Sequence, residues 1–352
     1  MIGVFTYVSR PATIVFGEGK SSDVGAWLER LGVRRALVLS TPHQEADAVA
    51  LAATLDGRSA GVFPRATMHT PVSVTEQATA DVARLDADCV VSLGGGSTTG
   101  LGKAIALRTD LIQVVVPTTY AGSEVTDILG QTDAGEKTTV RDPRILPELV
   151  IYDPDLTLGL PAAMSVVSGL NAMAHAAEGL YAKDRNPITS MMAVEGLRAM
   201  RDGLPRIVAE PRDRAARSDA LYGAWLCGTV LGSVAMALHH KICHTLGGSF
   251  DTPHAETHAV MLPHTVAFNE AVAADQLAPA AALFGGKFGA GLWDFATSLS
   301  APASLRDLGL SEADLDRASE IAARDAYPNP RPFDRKAIRS LLQEAWEGQR
   351  PR

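Results

Sequence analysis

The chain has 352 residues, of which 46% are apolar and 20% charged, and its net charge at neutral pH is −8. That length favours two domains, and the balance is that of a globular protein rather than a disordered or fibrous one. The acidic excess argues against nucleic acid as a partner, because phosphate binding wants clustered Lys and Arg.

In chain order, Thr13 to Phe16 predicts a short strand and Ser21 to Leu31 a helix. Arg35 to Leu39 follows as an apolar strand, then Glu45 to Leu55 as a helix. Gly61 to Phe63 and Cys89 to Leu93 are strands on either side of a helix from about Val74 to Leu85. Ile112 to Val116 is a further strand. Short, wholly apolar strands separated by helices indicate a parallel α/β sheet covered on both faces. From about Leu160 the strand signal stops. Ala162 to Tyr181, Ile188 to Met200, Ala215 to Leu246 and Gln276 to Phe284 all carry helical periodicity. The expected division is therefore an α/β domain over residues 1–160 and an all-α domain over 161–352, with the active site in the cleft between them.

Cys89, Cys227 and Cys243 sit in apolar contexts without a C-x-x-C spacing, so they read as buried free thiols in a reducing compartment. The N-terminal MIGVFTYVSRPATIVFG alternates and breaks at Pro11, which suits strands better than a signal peptide. No apolar run reaches the length of a membrane span. A cytoplasmic protein with no membrane partner is expected.

The most informative stretch runs from Val90 to Thr126, where two apolar strands each end in a loop of small polar residues. The first ends in Gly94-Gly95-Gly96-Ser97-Thr98 and enters a helix. Glycines there let backbone approach a ligand closely, with free N–H groups and a helix N-terminus facing it, which suits a pyrophosphate. The second ends in Pro117-Thr118-Thr119-Tyr120. Neither matches G-x-G-x-x-G or a P-loop.

A second cluster lies in the helical half. Asn171 and His175 are four apart, as are His240 and His244, so each pair shares a helix face. His254 follows in the loop FDTPHAETH. Two such pairs and a loop histidine suit a divalent metal or an anionic substrate. His239, His258 and His264 lie near this cluster as structural or rim residues, and Lys241 points off the 240/244 face.

With these motifs the chain resembles the iron-containing alcohol dehydrogenase superfamily, whose fold is shared by dehydroquinate synthase. The motifs are GGGS at 94–97, PTTYAGSE at 117–124, DPDL at 153–156 and H-x-x-x-H with P-H at 240–254. The resemblance implies NADH or NADPH as cofactor, with Gly95, Gly96, Ser97 and Thr98 on the pyrophosphate. Thr118, Thr119 and Ser123 border the nicotinamide, and Lys137, five residues before Asp142-Pro143, lies near the cofactor. It also implies a metal held at the positions of Asn171, His175, His240 and His254.

Three departures matter. The family's aspartate ligand is Asn171 here, so the site has no anionic ligand and a metal is not expected to be required. The acidic residue three after GGGS is Gly100. Ser40-Thr41 replaces the ribose-binding carboxylate, so a 2′-phosphate would not be repelled. MHTPV at 68–72, GGGSTTGLGKAIALRT at 94–109 and PTTYAGSEVTDILG at 117–130 resemble the maleylacetate reductase branch. That branch implies NAD(P)H-dependent reduction of the C=C bond of 2-maleylacetate, a small dianion, to 3-oxoadipate in aromatic degradation. It also implies a homodimer, for which Val4-Phe5 offers an apolar edge. His175, His240, His244, His254 and Asn171 are the expected catalytic set, with His244 or His254 the proton donor. Tyr120, His175, His240 and His254 are expected to touch substrate. The rival readings are a metal-dependent alcohol or diol dehydrogenase, a dehydroquinate synthase-like lyase and a non-catalytic nucleotide-binding module.

Overall fold

The computed structural model describes residues 5–8, 12–133, 136–324 and 327–352. The side chains of Glu136 and Lys137 lie outside that description, as do Val4 and much of the expected N-terminal strand region. The chain divides into two compact units, Ser9–Leu160 and, with the short N-terminal stretch, Pro161–Arg352.

The first unit alternates strand and helix: β1 (Thr13–Phe16), α1 (Val24–Arg30), β2 (Ala36–Leu39), α2 (Glu45–Ala53), β3 (Ser59–Phe63), α3 (Val72–Arg84), β4 (Cys89–Gly94), α4 (Gly96–Thr109) and β5 (Ile112–Pro117). A hairpin, β6 (Ile128–Asp133) with β7 (Glu136–Arg141), and β8 (Leu149–Tyr152) complete it. Six strands form one parallel sheet in the order β1-β8-β5-β4-β2-β3. β2 and β4 are buried along their whole length because helices cover both faces, which explains their unbroken apolar sequence. The sequence reading omits β6, β7 and β8. The hairpin strands are polar and exposed in part, so they lack the apolar run that marks the sheet strands. The DPDL motif is structural. Asp153 accepts hydrogen bonds from the Gly19 and Ser21 backbone N–H groups and the Ser21 hydroxyl, tying the end of β8 to the turn after β1.

The second unit is helical: α5 (Ala162–Tyr181), α6 (Pro187–Ala209), α7 (Arg214–Ser233), α8 (Leu238–Phe250), α9 (His254–Ala281), α10 (Phe288–Ser298), α11 (Asp314–Ala323) and α12 (Arg335–Glu347). The single helix expected from Ala215 to Leu246 is two helices at 97° to each other. No Gly or Pro marks the break at 234–237. It is held instead by two acids, with Asp184 accepting from the Ala235 N–H and Glu178 from the Ala237 N–H. Among the described residues no single helix is long and apolar enough to cross a membrane. Cys89, Cys227 and Cys243 are buried free thiols.

One buried cation supports the loop after β5. Lys103, on α4, is 1% exposed, and its Nζ donates to Ser123 O at 2.5 Å, Thr126 Oγ1 at 2.9 Å and Ile128 O at 2.9 Å. Burial pulls its pKa down to about 7, against the attraction of Glu124 and Asp127. The folded protein then holds this proton less tightly than the unfolded chain. Raising pH from about 7 toward the ordinary 10.5 should favour the folded state, by at most about 1.4 kcal/mol per pH unit. Denaturant unfolding measured across that window should show this rise in the wild type and lose it in Lys103→Met. Equal slopes for the two proteins would show that Lys103 keeps its charge throughout.

Candidate active site

The glycine turn before α4 and the loop after β5 lie in the α/β unit. Gly94 has φ 149°, a conformation that favours glycine, and a Cβ there would meet Thr98 Oγ1 at 2.5 Å. A Cβ on Gly95 would meet the Thr119 side chain at 2.8 Å, whereas one on Gly96 would find nothing nearer than 4.0 Å. The two loops are thus joined closely at Gly95 and left open at Gly96, the first residue of α4. The Thr118 N–H donates to Gly94 O, and Gln44 Nε2 donates to Thr118 Oγ1, each at 3.0 Å. Thr98 Oγ1 and Ser123 Oγ are buried hydroxyls with no hydrogen-bond partner in the protein. Orphaned hydroxyls beside an open glycine turn at a helix N-terminus make a cradle that fits a dinucleotide phosphate.

Gly95, Gly96, Ser97, Thr98, Thr118 and Thr119 are therefore brought together, with Ser123 on the loop that Lys103 holds. Tyr120 is completely buried, as a packing residue would be. Lys137 stands on β7 with its side chain outside the described part. Gly100 has a steric cause, since a Cβ there would lie 2.4 Å from Thr70 Oγ1. Gln44 and Lys103 escape a sequence reading because their partners are distant backbone and hydroxyl groups.

The histidines gather in the helical unit. α5 carries Asn171, His175 and Glu178. α8 carries His239, His240, Cys243 and His244. α9 begins at His254, which is helical and exposed rather than in a loop as expected, and carries His258 one turn on. His175 Nδ1 lies 3.0 Å from His240 Nε2, and His240 Nδ1 lies 2.5 Å from Glu178 Oε2. Glu178 also accepts the backbone N–H groups of Ala237 at 3.0 Å and His239 at 2.8 Å. A carboxylate accepts but does not donate, so the His240 proton sits on Nδ1 and Nε2 is turned to His175. Glu178 thus orients His240, and His240 in turn orients His175.

The remaining rings pack around this pair. Centroids of His240 and His244 are 5.9 Å apart, and those of His254 and His258 are 4.5 Å apart. His239 and His258 are completely buried, and His239 Nε2 lies 2.9 Å from His258 Nδ1. Burial first, and then the neighbouring imidazoles, push both well below the ordinary histidine range. His264 stands apart, its two ring nitrogens buried without partners, and burial pulls it down to about 4. Lys241 Nζ lies 5.6 Å from the centroid of the Tyr327 ring. Glu178 was missed by the sequence reading, although its place three residues after His175 on one helix face is a usable signal.

A family model described as iron-containing alcohol dehydrogenase matches residues 11–154, and one for the C-terminal part of the Fe-containing alcohol dehydrogenase family matches 165–346. The chain belongs to the iron-containing alcohol dehydrogenase family. As a family member it is an NAD(P)H-dependent oxidoreductase. It is 65% identical to the maleylacetate reductase of Rhizobium sp. (strain MTP-10005), over 99% of each chain. The crystal structure of maleylacetate reductase from Agrobacterium tumefaciens has a TM-score of 0.97 and 64% identity, covering 99% of this chain and 100% of that one. A 1,3-propanediol oxidoreductase structure is 27% identical with a TM-score of 0.91, covering 98% and 100%.

The family's description implies iron, so the donor set must be tested against it. Asn171 is 4% exposed and its Oδ1 has no hydrogen-bond partner, yet an amide brings no charge to hold a dication. His175 and His240 turn the facing nitrogens to each other, and the nearby carboxylate, Glu178, is spent on the opposite nitrogen of His240. This neutral set does not fit the iron of the family's description. A different trio, His239, Cys243 and His258, has ligand atoms within 4.8 Å of one another. Two of its three ligand atoms are already engaged in the His239–His258 hydrogen bond.

Replacing Glu178 tests the anchoring role. Glu178→Gln puts an amide N–H against one of three donors, which should cost about 1–3 kcal/mol in urea unfolding. Steady-state turnover should fall about 10- to 100-fold if His240 is the group that Glu178 tunes. Unchanged stability and turnover together would remove Glu178 from the site.

Proposed function

We propose that the protein reduces the C=C bond of 2-maleylacetate to 3-oxoadipate with NADH or NADPH. The observation that carries this reading is the carboxylate-anchored imidazole pair, with a neutral Asn171 one helical turn before His175 on α5, in a chain 65% identical to a maleylacetate reductase. A dianionic substrate needs a site with donors and without a carboxylate on its inner face, and Asn171 meets that condition.

When bound, NAD(P)H supplies the hydride, which forms a C–H bond at the alkene carbon β to the ketone. The alkene electron pair then moves toward the ketone oxygen as an enolate, and the α carbon takes a proton. Gly95, Gly96, Ser97 and Thr98 hold the pyrophosphate through backbone N–H groups and hydroxyls, while Thr118, Thr119, Ser123 and Lys137 border the rest of the cofactor. His175, His240 and His254 receive the substrate anion, and Tyr120, on the loop after β5, is proposed to contribute to substrate binding from the α/β unit. Their donors stabilise the developing oxyanion, a term commonly worth several kcal/mol. Asn171 contributes an uncharged amide. His244 or His254, nearest the solvent side of the cluster, returns the proton. Metal is not required on this reading, because the imidazoles do the work of a Lewis acid. The missing carboxylate after β2 supports NADPH beside NADH, and the family resemblance supports a homodimer. The buried thiols support a reducing, cytoplasmic setting.

Two measurements test this. Protein stripped by a chelator and verified metal-free should oxidise NADH with maleylacetate at its full rate. Dependence on restored iron or zinc would instead favour a metal-dependent alcohol dehydrogenase. Metal-free Asn171→Asp should lose about 10- to 100-fold in kcat/KM for the dianion through like-charge repulsion, and a divalent cation added back should relieve part of that loss. Retained kcat/KM without bound metal would sink the electrostatic account.

A further inference from the structure

The cluster holds a second imidazole pair that the reaction as described does not use. His239 Nδ1 lies 2.9 Å from Thr265 Oγ1, and His239 Nε2 lies 2.9 Å from His258 Nδ1. All three residues are completely buried. The His258 ring centroid is 4.5 Å from that of His254, 5.1 Å from His240 and 6.2 Å from His175. It therefore sits among the three rings assigned to the substrate. Its Nε2 is buried and has no partner in the protein. Because Nδ1 is turned to His239, Nε2 points away from His239. A buried polar atom without a partner is costly, and such atoms in native proteins mark a functional site or a bound molecule.

The hydrogen-bond run has two possible polarities. Thr265 has one proton, and Oγ1 lies 2.9 Å from Met261 O and 3.2 Å from Leu262 O as well as beside His239. If Thr265 donates to a helix carbonyl, His239 donates from Nδ1, His258 donates from Nδ1, and His258 Nε2 is a lone pair. If Thr265 donates to His239, then His239 Nε2–H donates to His258 Nδ1, and His258 carries N–H at Nε2. Both polarities keep the rings neutral, in line with their deep burial. An anion can bind only the second.

We propose that His258 contacts the substrate, its Nε2–H donating to a carboxylate of the dicarboxylate, with Thr265 and His239 as positioning residues that present that proton. The assignment rests on the reading of the helical unit as the receptor of a dianionic substrate. It also gives a reason for the pair's anchors to differ. Glu178 fixes the tautomer of His240 in the His175–His240 pair, whereas the hydroxyl of Thr265 lets the His239–His258 pair change polarity. A soft cation on His239, Cys243 and His258 is the competing use of these atoms. It would have to displace the His239–His258 hydrogen bond and deprotonate Cys243, a thiol that burial and the Glu178 charge push well up.

The test uses the full-length enzyme with His258→Phe, His258→Gln and Thr265→Val. Kinetics with maleylacetate, inhibition by 3-oxoadipate, NADH affinity and metal content are read for each. His258→Phe should raise KM and the inhibition constant about tenfold or more, with NADH affinity unchanged. His258→Gln, which keeps an N–H near the Nε2 position, should recover most of the loss, and Thr265→Val should fall between. In the wild type, nitrogen NMR should place the His258 proton on Nε2 when 3-oxoadipate binds. A normal KM in His258→Phe, a Gln variant no better than Phe, a proton on Nδ1 in the product complex, or stoichiometric metal lost with His258 would each overturn the assignment. A wild type that leaves maleylacetate untouched would overturn the functional reading itself, whereas turnover with an unaffected His258→Phe would overturn only this inference.

Discussion

The helical unit depends on one buried carboxylate. Glu178 accepts two backbone N–H groups where α7 gives way to α8, and a third bond from His240 Nδ1. The first two bonds sit at the N-terminus of α8, where unpaired N–H groups and the helix dipole favour negative charge. The third turns the same charge into an orienting group for the cluster. Bend and site therefore share a cause: the acid that lets the chain break without Gly or Pro also fixes which nitrogen of His240 faces His175. A buried charge satisfied on every side in this way specifies a geometry more than it adds stability.

The α/β unit uses the opposite charge in a similar manner. Lys103 lies under the loop that follows β5 and donates to three acceptors spread over Ser123 to Ile128. An ammonium has three donors, and all three are used. The loop that carries Thr118, Thr119 and Ser123 is thus held from beneath, while Gly95 leaves just enough room for Thr119 above. Loops tolerate sequence change where they are free, but here a buried cation and a glycine leave little freedom.

Much of this was legible in the sequence because it is periodic or local. The apolar runs located β1, β2, β4 and β5 to within a residue or so, and the glycines at 94–96 marked the turn from β4 into α4. The spacing of Asn171, His175, His240 and His244 placed them on helix faces. What stayed hidden depends on partners far along the chain. The break at 234–237 has no breaker residue, since its acceptors, Asp184 and Glu178, belong to a distant segment. His239 and His258 read as structural or rim residues near the cluster, and their mutual hydrogen bond emerges only once α8 and α9 are set side by side. The β6–β7 hairpin is polar on both strands, and periodicity cannot see it.

The placement of charge ties these features to chemistry. On the proposed reading, a carboxylate at 171, one helical turn before His175, would bring a negative charge that a bound dication would have to neutralise. Here that group is an amide, while Glu178 remains on the far side of His240. Among the described residues, His240 meets a carboxylate on its Nδ1 side and an imidazole on its Nε2 side. Glu178 fixes the proton of His240 on Nδ1 and turns Nε2 to His175, so the imidazoles are held in set orientations before any substrate arrives. On the proposed reading the amide at 171 and the carboxylate of Glu178 act together, the first withholding negative charge near His175 and the second orienting the imidazole beside it.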